Sequence, residues 1–540
     1  MPARKRSRVS DSEDDYEAID DDSDASYSAH APKTSNRPGK RAKAKPAGKR
    51  TKTKSAVVED AEESISSEPH AASLHVISSP EPLRAALLDW YNVVHDVRGM
   101  PWRKRYDPSL GAEERSQRAY EVWVSEIMLQ QTQVATVIPY YNRWMEKFPT
   151  IEHLADADDE TVKALWKGLG YYSRATRLHQ GAQIAVKDFG GRLPTNAKEM
   201  EAKISGIGRY SAGAICSIAY NECAPVLDGN VHRLMSRLLA LHSPPKSKQT
   251  LDVLWAGAEA MVKRAEHPGD INQALIELGS TVCKPRDPAC SKCPLNKWCQ
   301  GYRLTKEESM EDAPDIEELC TLCAPVTADE EVGSVTIYPM KAERKKAREE
   351  MDSVNVVEWR HKNTNERWFL LVRRPESGLL AGLQEFPSIP NISSTASKLA
   401  EAPYTLLEGL LSSPPRKQKA AQGDAQSPRI TRVKPAGDVI HVFSHIRKTY
   451  RVQWVLLEGG SENGSRPPAL LPRPTITNDA PSRGPESKKP KGKKNSVNAS
   501  ASQPAVIAQW VRLDEVENAN ISTGVLKIWK QVQSMWNWND

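Results

Sequence analysis

Four cysteines spaced Cys283-x6-Cys290-x2-Cys293-x5-Cys299 put four thiols into one short loop, and no other feature constrains the fold as strongly. Thiolates so closely set can surround a single soft centre, either Zn²⁺ or a [4Fe–4S] cluster, and spacing alone does not choose between them. Half of the eight cysteines crowd here, and the N-terminus lacks the apolar stretch of a secretory signal. Metal binding in a reducing compartment is therefore expected instead of disulfides. Lys284, Arg286, Lys292 and Lys297 stud the loop, which suits contact with a phosphate backbone; a structural zinc knot is the competing account.

A chain of 540 residues exceeds one ordinary core, so two domains and linkers are expected. Residues 1–77 are mostly Ser, Lys, Arg, Asp and Ala without apolar periodicity, the pattern of a disordered charged tail. Its basic clusters, Arg4-Lys5-Arg6 and Lys40 to Lys54, suit nuclear import or loose DNA contact. The acidic run Asp11 to Asp24 weighs against a mitochondrial presequence, so the nucleus is the expected location, with a mitochondrial form left open by an alternative start. Residues 78–300 carry apolar residues three and four apart over Arg84 to Val94, Ala119 to Phe148, Asp158 to Lys187 and Ile271 to Val282, which predicts an all-α domain. Residues 301–332 form an acidic connector. Beyond it the period falls to two, with strands expected over Ser334 to Met340, Trp368 to Arg373 and Thr449 to Leu457. Tyr450, Val452, Trp454 and Leu456 would share one face. Residues 333–540 thus read as an α+β domain, with flexible Pro-, Ser- and Lys-rich insertions near 412–427 and 460–503. No apolar run is long enough to span a bilayer, and no membrane association is expected.

Ile204-Ser205-Gly206-Ile207-Gly208 directly precedes the helical run Tyr210 to Tyr220. Glycines there let amide N–H groups and a helix N-terminus face an anion, as in a helix-hairpin-helix phosphate grip. A plain turn would look similar, but Leu227-Asp228-Gly229-Asn230-Val231 follows on the far side of that helix, placing an acid where the sugar of bound DNA would lie. Glu126 sits within Trp123-Val124-Ser125-Glu126-Ile127-Met128-Leu129-Gln130-Gln131-Thr132. A carboxyl in such an apolar run favours its protonated form, which suits a general acid; an ion-paired structural glutamate is the alternative.

Together these residues resemble the MutY-type adenine DNA glycosylases of the helix-hairpin-helix superfamily. The resemblance runs from about Arg98 to Cys299 through Met100-Pro101-Trp102-Arg103, the Glu126 segment, Gly168-Leu169-Gly170-Tyr171-Tyr172-Ser173-Arg174, the hairpin, Asp228-Gly229-Asn230 and the four cysteines. It resumes at Gly378-Leu379-Leu380-Ala381-Gly382-Leu383 and Phe443-Ser444-His445. It implies a helical glycosylase domain with a [4Fe–4S] loop on Cys283, Cys290, Cys293 and Cys299, followed by a Nudix-like α+β domain. It further implies removal of adenine opposite 8-oxoguanine or guanine in double-stranded DNA, by base flipping and hydrolysis of the N-glycosidic bond. Glu126 would protonate adenine, and an ionised Asp228 would steady the sugar cation, with Tyr210 and Asn230 completing the catalytic set. Arg98, Met100, Trp102 and Gln273 would line the adenine pocket. Leu129, Gln131, Thr132, Tyr171, Gly206 and Gly208 would contact DNA, and Phe443, Ser444 and His445 would read 8-oxoguanine.

Several positions depart from the pattern. Met100 stands where many relatives have Leu, Gln384 where they commonly have Trp, and His232 where some bacterial members carry a DNA-trapping Lys. No Nudix box is evident, so a reading role is expected of the second domain. Cys320 and Cys323 in the connector resemble part of the zinc site of animal members, with His75 a conceivable third ligand; exposed free thiols are the competing account. Tyr210 occupies the site where an endonuclease III-type glycosylase and lyase needs a Lys nucleophile, which favours a monofunctional enzyme. A catalytically inactive DNA-binding scaffold is the rival from another class. A monomer is expected, and no protein partner is identifiable.

Overall fold

Helices dominate the chain up to the cysteine loop because their apolar stripes have one another to pack against. The computed structural model describes residues 70–306, 319–326, 333–342, 346–361, 366–375, 378–392, 395–416, 427–443, 445–460, 466–472 and 507–536. The basic clusters, most of the N-terminal tail, and much of the connector and of both insertions lie outside the described residues. The helices run α1 (Pro80–Val94), α2 (Ala112–Leu129), α3 (Val134–Lys147), α4 (Ile151–Ala155), α5 (Asp159–Trp166), α6 (Ser173–Phe189), α7 (Ala197–Lys203), α8 (Arg209–Tyr220), α9 (Gly229–Leu238), α10 (Lys248–Val262), α11 (Pro268–Thr281) and α12 (Gln300–Leu304). Local signals set several boundaries: Pro80 and Pro268 open their helices, Asp158 and Ser247 cap theirs, and Gly190 ends α6 in the left-handed region.

Two long helical expectations are each broken in two. Ala119 to Phe148 divides where Gln131 adopts a φ of +53°, and Asp158 to Lys187 divides at a turn containing Gly168, Gly170 and Tyr171, all with positive φ. Apolar periodicity continues through both breaks, which is why the sequence conceals them.

The second fold is a seven-stranded mixed sheet built from β1 (Arg348–Arg360), β2 (Arg367–Arg373), β3 (Gln384–Glu385), β4 (Ser388–Ile389), β5 (Arg429–Val442), β6 (Ile446–Glu458) and β7 (Ile507–Arg512). Its order is β3-β2-β1-β6-β5, with β4 on β1 and β7 on β2; among the described strands β1 and β6 pair in parallel and the other pairs are antiparallel. Tyr450, Val452, Trp454 and Leu456 share one face and pack on Val525, Ile528, Trp529 and Val532 of a helix at Thr523–Gln533. Val455 and Leu457 face the other side, against Leu407 and the neighbouring Leu410 and Leu411 at the end of a helix at Ala396–Glu408. The strand expected at Ser334 to Met340 is instead a short 3₁₀ turn over Val335–Ile337. Ser334 Oγ accepts from the Thr336 amide, and Pro339 has no N–H for a ladder.

By packing, the described residues fall into two compact units. One comprises residues through Val122 with Pro194–Lys203 and Ile207–Glu343; the other comprises Trp123–Leu193, Ile204–Gly206 and the chain from Arg344 onward. Among the described residues no helix is long and apolar enough to cross a membrane.

Candidate active site and metal centres

In the first unit Asp228 caps α9. Its Oδ1 accepts the Val231 amide at 2.7 Å and its Oδ2 accepts Asn230 Nδ2 at 2.8 Å. Asn230 Oδ1 in turn accepts Arg233 Nη2 at 3.0 Å, and Arg233 also donates to Gly279 O at 2.7 Å and Cys283 O at 2.9 Å. A Cβ on Gly279 would lie 2.7 Å from Asn230 O, so glycine is what lets α11 approach this turn. Burial pushes the Asp228 carboxyl above its ordinary range, opposed by the Val231 and Asn230 hydrogen bonds and the Arg233 charge. Asp228 as a whole residue is half-buried. Tyr210 is half-buried in the first turn of α8.

α11 also carries Gln273 and Glu277, one turn apart and both buried. Glu277 Oε2 accepts Arg98 at 3.1 Å and Arg103 at 2.7 Å. Met100 and Trp102, between those arginines, are buried. The structure thus brings Arg98, Gln273 and the Asp228 turn to one helix. Glu277 and Arg103 escaped the sequence reading as site residues, although a Glu one turn after Gln273 was the signal available.

In the second unit Glu126 lies near the end of α2, only 9% exposed. Arg174 closes that helix end, donating to Ile127 O at 2.7 Å, Met128 O at 3.1 Å and Gln130 O at 2.6 Å, and also to Gly170 O at 3.3 Å. One buried guanidinium therefore holds both broken turns, the one presenting exposed Gln131 and the one presenting Tyr171, 48% exposed. Leu129 ends α2, and the Thr132 amide donates back to its carbonyl. Desolvation pulls the Arg174 guanidinium down to about 10. Gly206, with φ +80°, would drive a Cβ to 2.7 Å from the Arg177 Cβ. Gly208, in the first unit, is the N-cap of α8. Phe443 and His445 lie in the connection between β5 and β6; Ser444 falls outside the described residues.

All four loop cysteines line one apolar cavity with Leu234, Leu238, Val282 and Leu295. Burial first, then mutual proximity, pushes the Cys293 and Cys299 thiols up to about 12. Four thiolates could share that space only around a cationic centre, so the residues fit a metal cluster. Buried Arg237 ties the loop down: its guanidinium donates to Lys284 O at 2.6 Å, Tyr338 O at 3.0 Å and Pro285 O at 3.1 Å, and lies 3.4 Å from Cys283 Sγ. Arg237→Gln is expected to release the loop and lower the metal held by the four loop cysteines by more than half at purification. A variant whose cysteine loop holds as much metal as the wild type would remove this role.

A second group joins His70 and His75 to Cys320 and Cys323, their ligand atoms all within 4.8 Å of one another. His75 Nε2 lies 3.2 Å from His70 Nε2, 3.2 Å from Cys320 Sγ and 3.4 Å from Cys323 Sγ. Tetrahedral zinc, with bonds of about 2.0 Å to nitrogen and about 2.3 Å to sulfur, sets such pairs roughly 3.3 to 3.5 Å apart. His75 Nδ1 meets Leu239 O at 2.7 Å, which fixes the tautomer leaving Nε2 for a metal, and burial keeps the imidazole neutral. Cys320 donates its amide to His70 O at 2.8 Å. His70 was not anticipated, since only the fold brings it to the connector.

Residues 124–259 match the model for the HhH-GPD superfamily of base excision DNA repair proteins, and residues 359–531 match that for the NUDIX domain. The chain is 42% identical to the adenine DNA glycosylase of Homo sapiens, over 71% of this chain and 69% of that one. It is 36% identical to the adenine DNA glycosylase of Schizosaccharomyces pombe, over 72% of this chain and 85% of the relative. Among solved structures, a thermostable thymine-DNA glycosylase aligns with 42% of this chain and 96% of its own, at a TM-score of 0.35 and 25% identity.

Proposed function

Because the chain belongs to the adenine DNA glycosylases, DNA N-glycosylases of base excision repair, we propose that it removes adenine paired with 8-oxoguanine or guanine by a hydrolytic, monofunctional route. The observation that carries this reading is the Asp228–Asn230–Arg233 arrangement: an acid fixed by two hydrogen bonds and held where burial makes ionisation costly despite the Arg233 charge, so that a further positive partner is favoured. Cleaving the N-glycosidic bond creates that partner, because the sugar gains positive charge as the base departs. Asp228 steadies the sugar, and Glu126 gives a proton to adenine N7 and then assists water. Arg98, Met100, Trp102 and Gln273 receive the extruded base, with Glu277 holding Arg98 and Arg103 in place. Tyr210 stands where a lyase would carry an amine, so no Schiff base forms.

Gln131 and Tyr171 enter the base stack from two turns sharing Arg174, while Gly206, Gly208 and the N-terminus of α8 grip a phosphate. Phe443, Ser444 and His445 read 8-oxoguanine. Cys283, Cys290, Cys293 and Cys299 hold a [4Fe–4S] cluster, whose contribution is to pin a cationic loop for the DNA backbone. His70, His75, Cys320 and Cys323 hold zinc. The enzyme works in the nucleus on double-stranded DNA. In domain terms, residues 78–300 form the glycosylase domain, 301–332 the connector and 333–540 the reading domain.

Incubating the protein with duplexes that pair adenine with 8-oxoguanine, guanine or thymine, then cleaving abasic sites with alkali, tests the substrate assignment. Equal cutting of all three would reject it. Efficient borohydride trapping on oxidised-pyrimidine DNA would instead favour the lyase reading. His70→Ala and Cys320→Ser should each lose about one equivalent of zinc per chain with iron content unchanged; wild type purified without zinc would reject the second centre.

A further inference from the structure

Both ends of α5 touch the Nudix-like fold inside the second unit. At its start, Arg373 at the end of β2 reaches Asp159 at 3.5 Å and Glu160 at 3.7 Å, and Asn520 donates to Glu160 O at 3.4 Å. At its other end Lys167, the C-cap, donates to the main-chain carbonyls of Glu517 and Ala519, the latter at 2.8 Å. The turn that receives Lys167 is itself anchored. Val516 and Ile521 are buried in the core, and Asn520 O accepts the Gln384 amide at 2.8 Å.

Lys167 is also the first residue of the turn presenting Tyr171. Tyr140 Oη donates to Lys167 O at 2.8 Å, Trp166 Nε1 donates to Gly170 O at 2.9 Å, and Gly168 N donates to Tyr172 Oη at 3.2 Å. A Cβ on Gly168, at φ +94°, would fall 2.5 Å from Tyr140 Oη, so this turn has little room to adjust by itself. Bonds from one ammonium therefore lead from a stiff turn to a stiff turn.

We propose that Lys167 is a positioning residue that fastens the Tyr171 turn to the 517–519 main chain, so that the stack-entering aromatic and the 8-oxoguanine-reading fold are set against DNA as one piece. The inference rests on the proposed roles of Tyr171 and the 443–445 connection. Its mechanical core, the fastening, holds independently of them. Because the acceptors are main-chain carbonyls, no change of the partner side chains can replace the donor.

The test compares Lys167→Met, which keeps the stem and removes the donor, with Lys167→Arg, which keeps a donor. Hydrogen–deuterium exchange of the full-length protein is read over residues 166–172 and 513–521, beside single-turnover excision on adenine opposite 8-oxoguanine and opposite guanine. Lys167→Met should speed exchange in both segments and reduce the preference for 8-oxoguanine by about tenfold, an ordinary size for coupling between sites. Lys167→Arg should restore both. Arg373→Glu should loosen the same segments more weakly, with Glu160→Arg in the same chain recovering part of the protection. Unchanged exchange in both segments of Lys167→Met overturns the proposal, whether or not excision falls; a fall with unchanged exchange would mark Lys167 as a direct DNA contact. A wild type lacking any preference for 8-oxoguanine would reject the reading assigned to the second fold, and the exchange result would still decide the fastening.

Discussion

Replacing Asp228 by asparagine is expected to cut adenine excision by at least about 10³-fold while leaving binding of the lesion duplex nearly intact. Asparagine keeps the outline of the side chain and can still accept the Val231 amide, so the start of α9 survives, although its Nδ2 no longer accepts the Asn230 amide group. What disappears is the negative charge proposed to face the sugar. The same substitution should raise thermal stability at neutral pH. Burial holds the Asp228 carboxyl above its unfolded value of about 3.9. Ionising it in the folded protein therefore opposes folding at any pH above that raised value, and the opposition vanishes below the unfolded one. The melting temperature gain should shrink as pH falls into that window, and wild-type excision should decline over the same descent. Comparable turnover by the variant, or a stability gain independent of pH, would reject the assignment.

Glu126→Gln is expected to slow excision by about 10²- to 10⁴-fold, the usual scale of a lost proton donor. Glu126 is almost enclosed, next to fully buried Ser125 and close to Trp123 and Met128, so the isosteric change should leave α2 intact. A substrate that needs no protonation separates the two acids. Adenine alkylated at N7 already carries the positive charge that protonation would supply and departs as a neutral base, so it should restore much of the rate to Glu126→Gln and little to Asp228→Asn. Equal recovery in both variants would show that Glu126 does something other than deliver the proton.

The sequence made the cysteine loop, the hairpin and the Asp228 turn legible, because each depends on neighbours only a few positions apart. The alternating faces of β2 and β6 were legible for the same reason. What the sequence concealed lies in the third dimension. Arg174 appears within a motif, yet its work is to satisfy carbonyls of α2 from more than forty positions away. Glu277 gains meaning only when Arg98 and Arg103 fold against it. The mistaken strand near Val335 shows the reverse failure: alternation was present, but Pro339 and the Ser334 cap favoured a turn whose next residue, Tyr338, offers its carbonyl to Arg237. His70 carried no signal, since an isolated histidine before a helical region is common.

His75 and Cys320 stand 245 positions apart, and their side chains meet at 3.2 Å. A clasp at that point closes a stretch of sequence that contains α1 to α12, and it shuts only after the ribosome has delivered Cys323. A nascent chain that has already emitted Glu126, Asp228 and the cysteine loop is still an open ring. Truncating the protein just after Cys299 would keep Asp228, Glu126 and the four loop thiols, yet would leave the two leading histidines facing a strap that was never made.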